Sequence, residues 1–220
     1  SDRVQDGAFG ACLMRRPALV ADCVRAMRDA VSLPVTVKHR IGLDRDESYG
    51  FVRDFVGQVA AAGCSEFSVH ARNAWLDGLS PKENRHIPPL RYDLVYRLKE
   101  AFPELEIIIN GGIKTLDECQ QHLEHVDGVM VGREAYQNPW MLAQVDALLY
   151  GKPVLLEHRK QVLPALYEYV EQQVANDVHL NHMTRHLLGL FQGLSGAKKW
   201  RRYISENAHK PGSGVEVLKA

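Results

Sequence analysis

The chain has 220 residues, is 45% hydrophobic, and sets 27 Lys+Arg against 27 Asp+Glu for a formal net charge of zero. That length holds one large domain or a domain with an appendage, and the balance excludes a strongly basic protein without excluding a local basic patch. No signal peptide and no apolar run of about 18 residues is visible, so a soluble, cytoplasmic protein with no membrane partner is expected.

Cys12, Cys23, Cys64 and Cys119 are widely spaced with no C-x-x-C pair, which argues against a zinc knuckle or redox dithiol and for reduced thiols. In chain order, "PALVADCVRAMRDAV" (17–31) reads as a helix with Pro17 in its first turn, and "LPVTVKHRIG" (33–42) as a β-branched strand. "ESYGFVRDFVGQVAAAG" (47–63) has helical period and ends on Gly63, which suits its C-terminal cap. "EFSVHAR" (66–72) is the next strand, followed by a long connection from Asn73 to Leu90 that carries Pro81, Pro88 and Pro89.

"RYDLVYRLKEAF" (91–102) is a helix, "LEIIIN" (105–110) a strand, and "TLDECQQHLEHV" (115–126) a helix opened by a Thr115–Glu118 capping box. "DGVMVGREA" (127–135) is the fourth strand and residues 139–150 a further helix. Strands alternating with helices imply βαβ units and a parallel sheet, and the cores "VTV", "III" and "VMV" suit strands covered on both faces. Beyond Gly151 only helical patterns follow, which places a boundary near residues 150–156.

In parallel α/β folds chemistry collects where strands end. Those ends read Lys38-His39-Arg40, His70-Ala71-Arg72, Asn110-Gly111-Gly112 and Gly132-Arg133, a set suited to a flat, anionic, hydrogen-bonding ligand. Glycine amides before a helix make a phosphate cradle, so Gly111, Gly112, Gly132 and Arg133 are expected to hold a phosphate. Taken singly, Lys38 also fits an ordinary strand-end charge, and His70 a hydrogen-bonded core histidine.

Near the C-terminus, "GAKKWRRYISENAHK" (196–210) is the densest basic stretch, with Lys198, Arg201 and Arg202 on one helical face. On the residues alone it suits a solvated helix face over a buried Trp200 rather better than a surface for RNA phosphates. His179, His182 and His186 fall on one face of a helix that continues through Leu187-Leu188-Gly189-Leu190-Phe191. No carboxylate or cysteine completes a ligand set, so no metal is expected.

Together "PVTVKHRIG", "VHARNAWLDGLSPKENRHIPPL", "INGGIKT", "DGVMVGREAYQNP", "RHLLGLFQG" and "WRRYISENAH" resemble the tRNA-dihydrouridine synthases, specifically their A-type bacterial branch, over essentially all of the chain. The resemblance implies an FMN-carrying TIM barrel with a helical tRNA-binding domain, reducing D-loop uridine around position 20 with electrons from NADPH. It assigns Lys38 and His70 to the flavin ring, and Asn110, Gly111, Gly112, Gly132 and Arg133 to the FMN phosphate. Lys82, Arg85, Lys198 and Arg201 match tRNA-contacting positions. The implied fold is the C-terminal half of a (β/α)8 barrel, strands five to eight, over residues 1–152, with an all-helical tRNA-binding domain over 153–220. The family's catalytic cysteine lies in a G-C-P motif directly before the segment matching "SDRVQDGAFGACLM", hence upstream of Ser1. Cys12 does not match it, and no catalytic residue is assigned within the chain. Each βα unit takes about 35 residues and a full barrel about 250, so a truncated chain of marginal stability is expected. The alternatives are a catalytically inactive tRNA-binding fragment and another phosphate-binding flavin barrel oxidoreductase.

Overall fold

A computed structural model describes Gly7, residues 9–46 and residues 48–219, so the predicted helix start at Glu47 lies outside the described residues. The chain forms two compact units, Ser1–Val131 and Gly132–Ala220.

The first unit is built on a parallel four-stranded sheet in the order β1 (Val37–Arg40), β2 (Glu66–His70), β3 (Glu106–Asn110), β4 (Gly128–Met130). Between them run helices α1 (Pro17–Ala30), preceding β1, then α2 (Tyr49–Ala61), α3 (Tyr92–Ala101) and α4 (Leu116–Leu123). Local chemistry explains several boundaries. Pro17 opens α1 where its missing N–H costs nothing. Gly63, at φ +98°, takes the left-handed turn after α2. The Thr115–Glu118 capping box at α4 is present in both directions.

The strands are shorter than the apolar runs suggest. β1 pairs only over Val37–Arg40, and Leu33 is 71% exposed. β4 stops at Met130 and the chain turns into helix within three residues. Register separates the two faces of the sheet. Phe67, Val69, Ile107 and Ile109 alternate onto one face, all 0% exposed, beneath the helices. Each contributes roughly 1.5–3 kcal/mol of burial. The opposite face carries Glu66 and Glu106 at the strand starts and Lys38, Arg40, Ser68, His70, Ile108, Asn110 and Met130 beyond them, and all but Ser68 are half-buried or exposed. The expectation of strands covered on both faces therefore holds for one face only among the described residues. The uniform "III" conceals this, because Ile108 points away from its neighbours.

The second unit contains α5 (Arg133–Gln137), α6 (Val145–Tyr150), α7 (Leu163–Ala175), α8 (Leu180–Thr184), α9 (Ala197–Asn207) and α10 (Glu216–Lys219). Residues 139–150 are not one helix: a 3-10 segment, Pro139–Gln144, precedes α6. Val170, Leu180, Ile204, Ala208, Val217 and Leu218 form the core, with Trp200 packed against it. α8 ends at Thr184, so His186 and Leu187–Phe191 lie in successive turns rather than on the continuous helix face expected. Among the described residues no helix is long and apolar enough to cross a membrane.

Candidate active-site face and basic surfaces

Residues paired across parallel strands point to the same side, so Arg40, His70, Asn110 and Met130 form one row at the C-terminal ends of β1–β4. Lys38 lies two residues back on the same face. Its Nζ passes over Ser68, its register partner, and donates to Asn110 Oδ1 at 3.1 Å. The Asn110 amide nitrogen in turn donates to the Met130 carbonyl at 2.6 Å. Burial first, and the Arg40 charge second, hold the Lys38 ammonium below the ordinary lysine range.

His39, one residue along, faces the opposite way. It is buried against the rings of Phe55 and Phe67, and its Nδ1 lies 2.6 Å from the Arg40 carbonyl, which fixes Nδ1–H as the donor. It is a core histidine.

A cavity of about 340 Å³ opens at the β1 edge of the sheet, lined by Lys38, Arg40 and His70 from this face and also by His39, Phe55, Val20 and Met14, with no carboxylate in its lining. A second, of about 310 Å³, shares Ala11 and Arg40 with it and is walled by Trp75, Asn84 and Arg85. Arg40 is pushed down to about 10, by burial first and then by the Arg72 and Arg85 charges. Three guanidiniums close enough to disfavour one another make this an electropositive mouth.

The glycines answer to the fold itself. Gly111 (φ +118°) and Gly112 (φ +77°) adopt the left-handed region, and a Cβ on them would stand 2.6 Å from His70 Cδ2 and Leu90 Cδ1 respectively. The Asn110-Gly111-Gly112 run is thus required by its own neighbours whatever ligand it meets. Gly132 differs: a Cβ there would meet no atom within 4 Å, and its φ of −109° needs no glycine. Gly132 and Arg133 belong to the second unit, where Gly132 caps α5.

The 73–90 connection is ordered by polar contacts that its irregular sequence does not announce. The Trp75 N–H donates to Asn84 Oδ1 (2.8 Å), and Asn84 Nδ2 donates back to the Trp75 carbonyl (2.7 Å). Arg40 Nη1 donates to the carbonyls of Asn73 (3.2 Å) and Asn84 (3.1 Å). Arg72 Nη1 donates to those of His86 and Pro88. The Arg45 guanidinium lies over the Trp75 ring at 3.7 Å. Lys82 and Arg85, both exposed, ride on this framework. Replacing Asn84→Ala should remove both contacts to Trp75 and loosen the loop by about 1–2 kcal/mol. Hydrogen exchange at the Trp75 amide should accelerate about tenfold, whereas an unchanged rate would mean that Arg40 alone orders the loop.

In the second unit, α9 buries Ala197 and Ile204 and turns Lys198, Lys199 and Arg202 outward. Trp200 packs edge-on to Phe191 at 4.9 Å, so its role is structural. Arg201 is half-buried and donates to Gln192 Oε1 (3.1 Å), while Arg202 is paired with Glu206 (2.7 Å). His186 is bonded to Tyr136 Oη (2.9 Å) and accepts from Arg185 Nε (3.0 Å). Of the thiols, burial pushes Cys64 and Cys119 up, and Cys12 donates to the Phe9 carbonyl at 3.2 Å.

Sequence reasoning found Lys38, His70 and Asn110, named Arg40 among the polar strand ends without giving it a role of its own, and passed over Trp75 and Asn84. The signal available for Arg40 was its place two residues beyond Lys38, on the same side of an alternating strand.

The family model for dihydrouridine synthase (Dus) matches residues 1–220. A Vibrio vulnificus protein named tRNA-dihydrouridine(20/20a) synthase is 60% identical over 219 residues, covering 99% of this chain and 67% of its own length. Proteins of the same name from Shewanella oneidensis (60% identical, 100% of this chain, 65% of theirs) and Yersinia pestis (58%, 99% and 64%) are similarly close. The chain spans about two thirds of the length of these curated relatives. Among solved structures, a mandelate oxidase covers 60% of this chain and 49% of its own at 18% identity and a TM-score of 0.40, too weak a likeness to carry an argument. The family match over every residue, together with relatives at about 60% identity, places the chain in the dihydrouridine synthase family.

Proposed function

We propose that the protein is an FMN-dependent tRNA-dihydrouridine synthase, reducing a D-loop uridine around position 20 to 5,6-dihydrouridine with electrons from NADPH in the cytoplasm. The relatives' shared name supports the reaction and the substrate. The parallel order β1-β2-β3-β4 supports reading residues 1–152 as consecutive staves, the fifth to eighth, of a (β/α)8 barrel. Residues 153–220 are then the helical tRNA-binding domain.

The observation that carries this reading is the donor-rich C-terminal end of the sheet face bearing Lys38, beside a cavity with no carboxylate in its lining. Lys38, Arg40, His70 and Asn110 offer N–H groups beside a cavity whose volume lies within the usual range for small-molecule sites. A flavin ring edge presents carbonyl and nitrogen acceptors, and its nucleotide tail is anionic, so the donor set fits. When bound, FMN supplies the hydride that reduces the 5,6 double bond of uracil and is itself replenished by NADPH.

Lys38, steadied by Asn110, holds a cation where negative charge develops, and His70 borders the same cavity as a second ring contact. Asn110, Gly111 and Gly112 hold the phosphate end. Gly132 and Arg133 join them on the resemblance alone. Lys82, Arg85, Lys198 and Arg201 meet tRNA phosphates, a sequence-independent attraction that salt weakens. Their substrate is a bound polyanion, so the zero net charge of the chain is no obstacle.

The test is direct. The full-length protein with FMN, NADPH and unmodified tRNA should add two hydrogens to a D-loop uridine by mass spectrometry. An unmodified D-loop at saturating enzyme would sink the proposal. Lys38→Met should weaken FMN binding about tenfold, as expected for the loss of a charge-assisted contact. Equal affinities in flavin titrations would remove Lys38 from the site.

A further inference from the structure

Tyr92 begins α3 and looks, from sequence, like one more aromatic on an amphipathic helix. Its hydroxyl donates to the Gly111 carbonyl at 2.7 Å, and its oxygen stands 3.0 Å from where a Gly112 Cβ would be. The ring is held from behind by the edge of His122 at 4.5 Å. His122 is in turn bonded through Nδ1 to Tyr96 Oη (2.7 Å). Burial keeps the Tyr92 hydroxyl above the ordinary phenol range, so it stays a donor. The glycine pair therefore sits in a collar, with His70 on one side and Leu90 and Tyr92 on the other.

A peptide group is planar, and no described bond is cis. The Gly111 carbonyl and the Gly112 N–H belong to one such plane and point in opposite directions. Fixing the carbonyl on Tyr92 therefore fixes the N–H, aimed away from α3. Two consecutive left-handed glycines have a wide conformational range of their own, so this plane needs an external anchor to keep one orientation.

We propose that Tyr92 is a positioning residue for the phosphate end of the flavin nucleotide, acting through the Gly111–Gly112 peptide rather than by touching the ligand. The inference rests on the FMN reading above. It assigns to α3, which contributes nothing to the ring cavity, a role in recognising the phosphate.

The comparison of FMN with riboflavin isolates that role, because the two share the ring and differ in the phosphate. Full-length protein, stripped of flavin, is titrated with each by fluorescence quenching, as wild type and as Tyr92→Phe. Wild type should prefer FMN, and Tyr92→Phe should weaken FMN about fivefold to tenfold, the size of one lost hydrogen bond, while riboflavin affinity stays unchanged. If wild type prefers FMN and the variant keeps that preference, Tyr92 does not position the phosphate site and the inference is overturned, with the FMN reading intact. If the variant loses both ligands in parallel, Tyr92 is a structural support only and the inference again fails. If wild type binds neither flavin, or both equally, the FMN phosphate reading falls and takes this inference with it.

Discussion

Acidification from about pH 7 to about pH 4.5 is expected to cost the first unit up to about 3 kcal/mol through His39 alone. Desolvation in the core lowers this imidazole from 6.5 to about 4. Its hydrogen bond to the Arg40 carbonyl opposes the shift, and the Lys38 charge adds to it. The folded state thus resists a proton that the unfolded chain accepts near pH 6.5. Between those values the unfolded state binds more protons, so stability rises with pH. The contribution is complete above about pH 6.5 and is lost as pH falls toward about 4. At about 1.4 kcal/mol per pKa unit, the window is worth about 3 kcal/mol.

The physical cause is the pair of rings, Phe55 and Phe67, at centroid distances of 5.1 and 5.9 Å, which can solvate a neutral imidazole but not a buried charge without water. Urea melts of wild type and His39→Leu at several pH values read this directly. Carboxylates such as Asp93 and Asp127, held low by hydrogen bonds and cations, also lose their contribution in acid, but they do so in both proteins. The wild-type curve should therefore steepen below about pH 6.5 relative to the variant. Parallel curves would show that His39 titrates normally and is not sealed in the core.

The second large effect is expected at Gly189. A Cβ there would stand 2.2 Å from the Gln137 carbonyl oxygen, 2.8 Å from its carbon and 3.2 Å from Pro139 Cδ. The first two are backbone atoms, so no side-chain rotation relieves the clash. Gly189→Ala forces apart the turn after α8 and the end of α5, which Tyr136 and His186 also join through their hydrogen bond. Overpacking of this kind costs about 3 kcal/mol. Melting followed by Trp140 and Trp200 fluorescence in a Trp75→Phe background should move to markedly lower denaturant concentration. Under the proposed function tRNA affinity should fall with it. An unchanged midpoint would mean that the two segments have room to separate. By contrast, Gly63 would meet only the flexible end of Arg28, so its substitution is limited by φ rather than by space.

Much of the fold could be read in advance because its cues are local. Pro17 at a helix start, the Thr115–Glu118 box and Gly63 after α2 each act within one turn of chain, so the alternation of helix and strand follows from short windows of sequence. The parallel sheet and the cluster of polar strand ends followed from that alternation and from where parallel strands finish.

Lengths and faces were not legible in the same way. "VTV", "III" and "VMV" look alike, yet Ile107 and Ile109 face the helices while Ile108 shares a face with Asn110 and Ser68. Apolar character alone does not say which side of a strand a neighbour will cover. The histidines at 179, 182 and 186 keep helical spacing in sequence, but α8 ends at Thr184 and the chain continues in turns through Gly189, which packs against the Gln137 backbone.

The same division runs through the candidate site. Residue types and chain order suffice to nominate Lys38, His70, Asn110 and the glycine pair, since charge and the missing side chain are properties of the residues themselves. That Asn110 steadies Lys38, that Arg40 joins two cavities, that Asn84 clasps Trp75 and that Tyr92 anchors Gly111 all depend on groups 9 to 72 positions apart meeting within hydrogen-bond reach. Such contacts arise only once strand register and helix packing have brought distant segments together, and no periodicity along the chain encodes them.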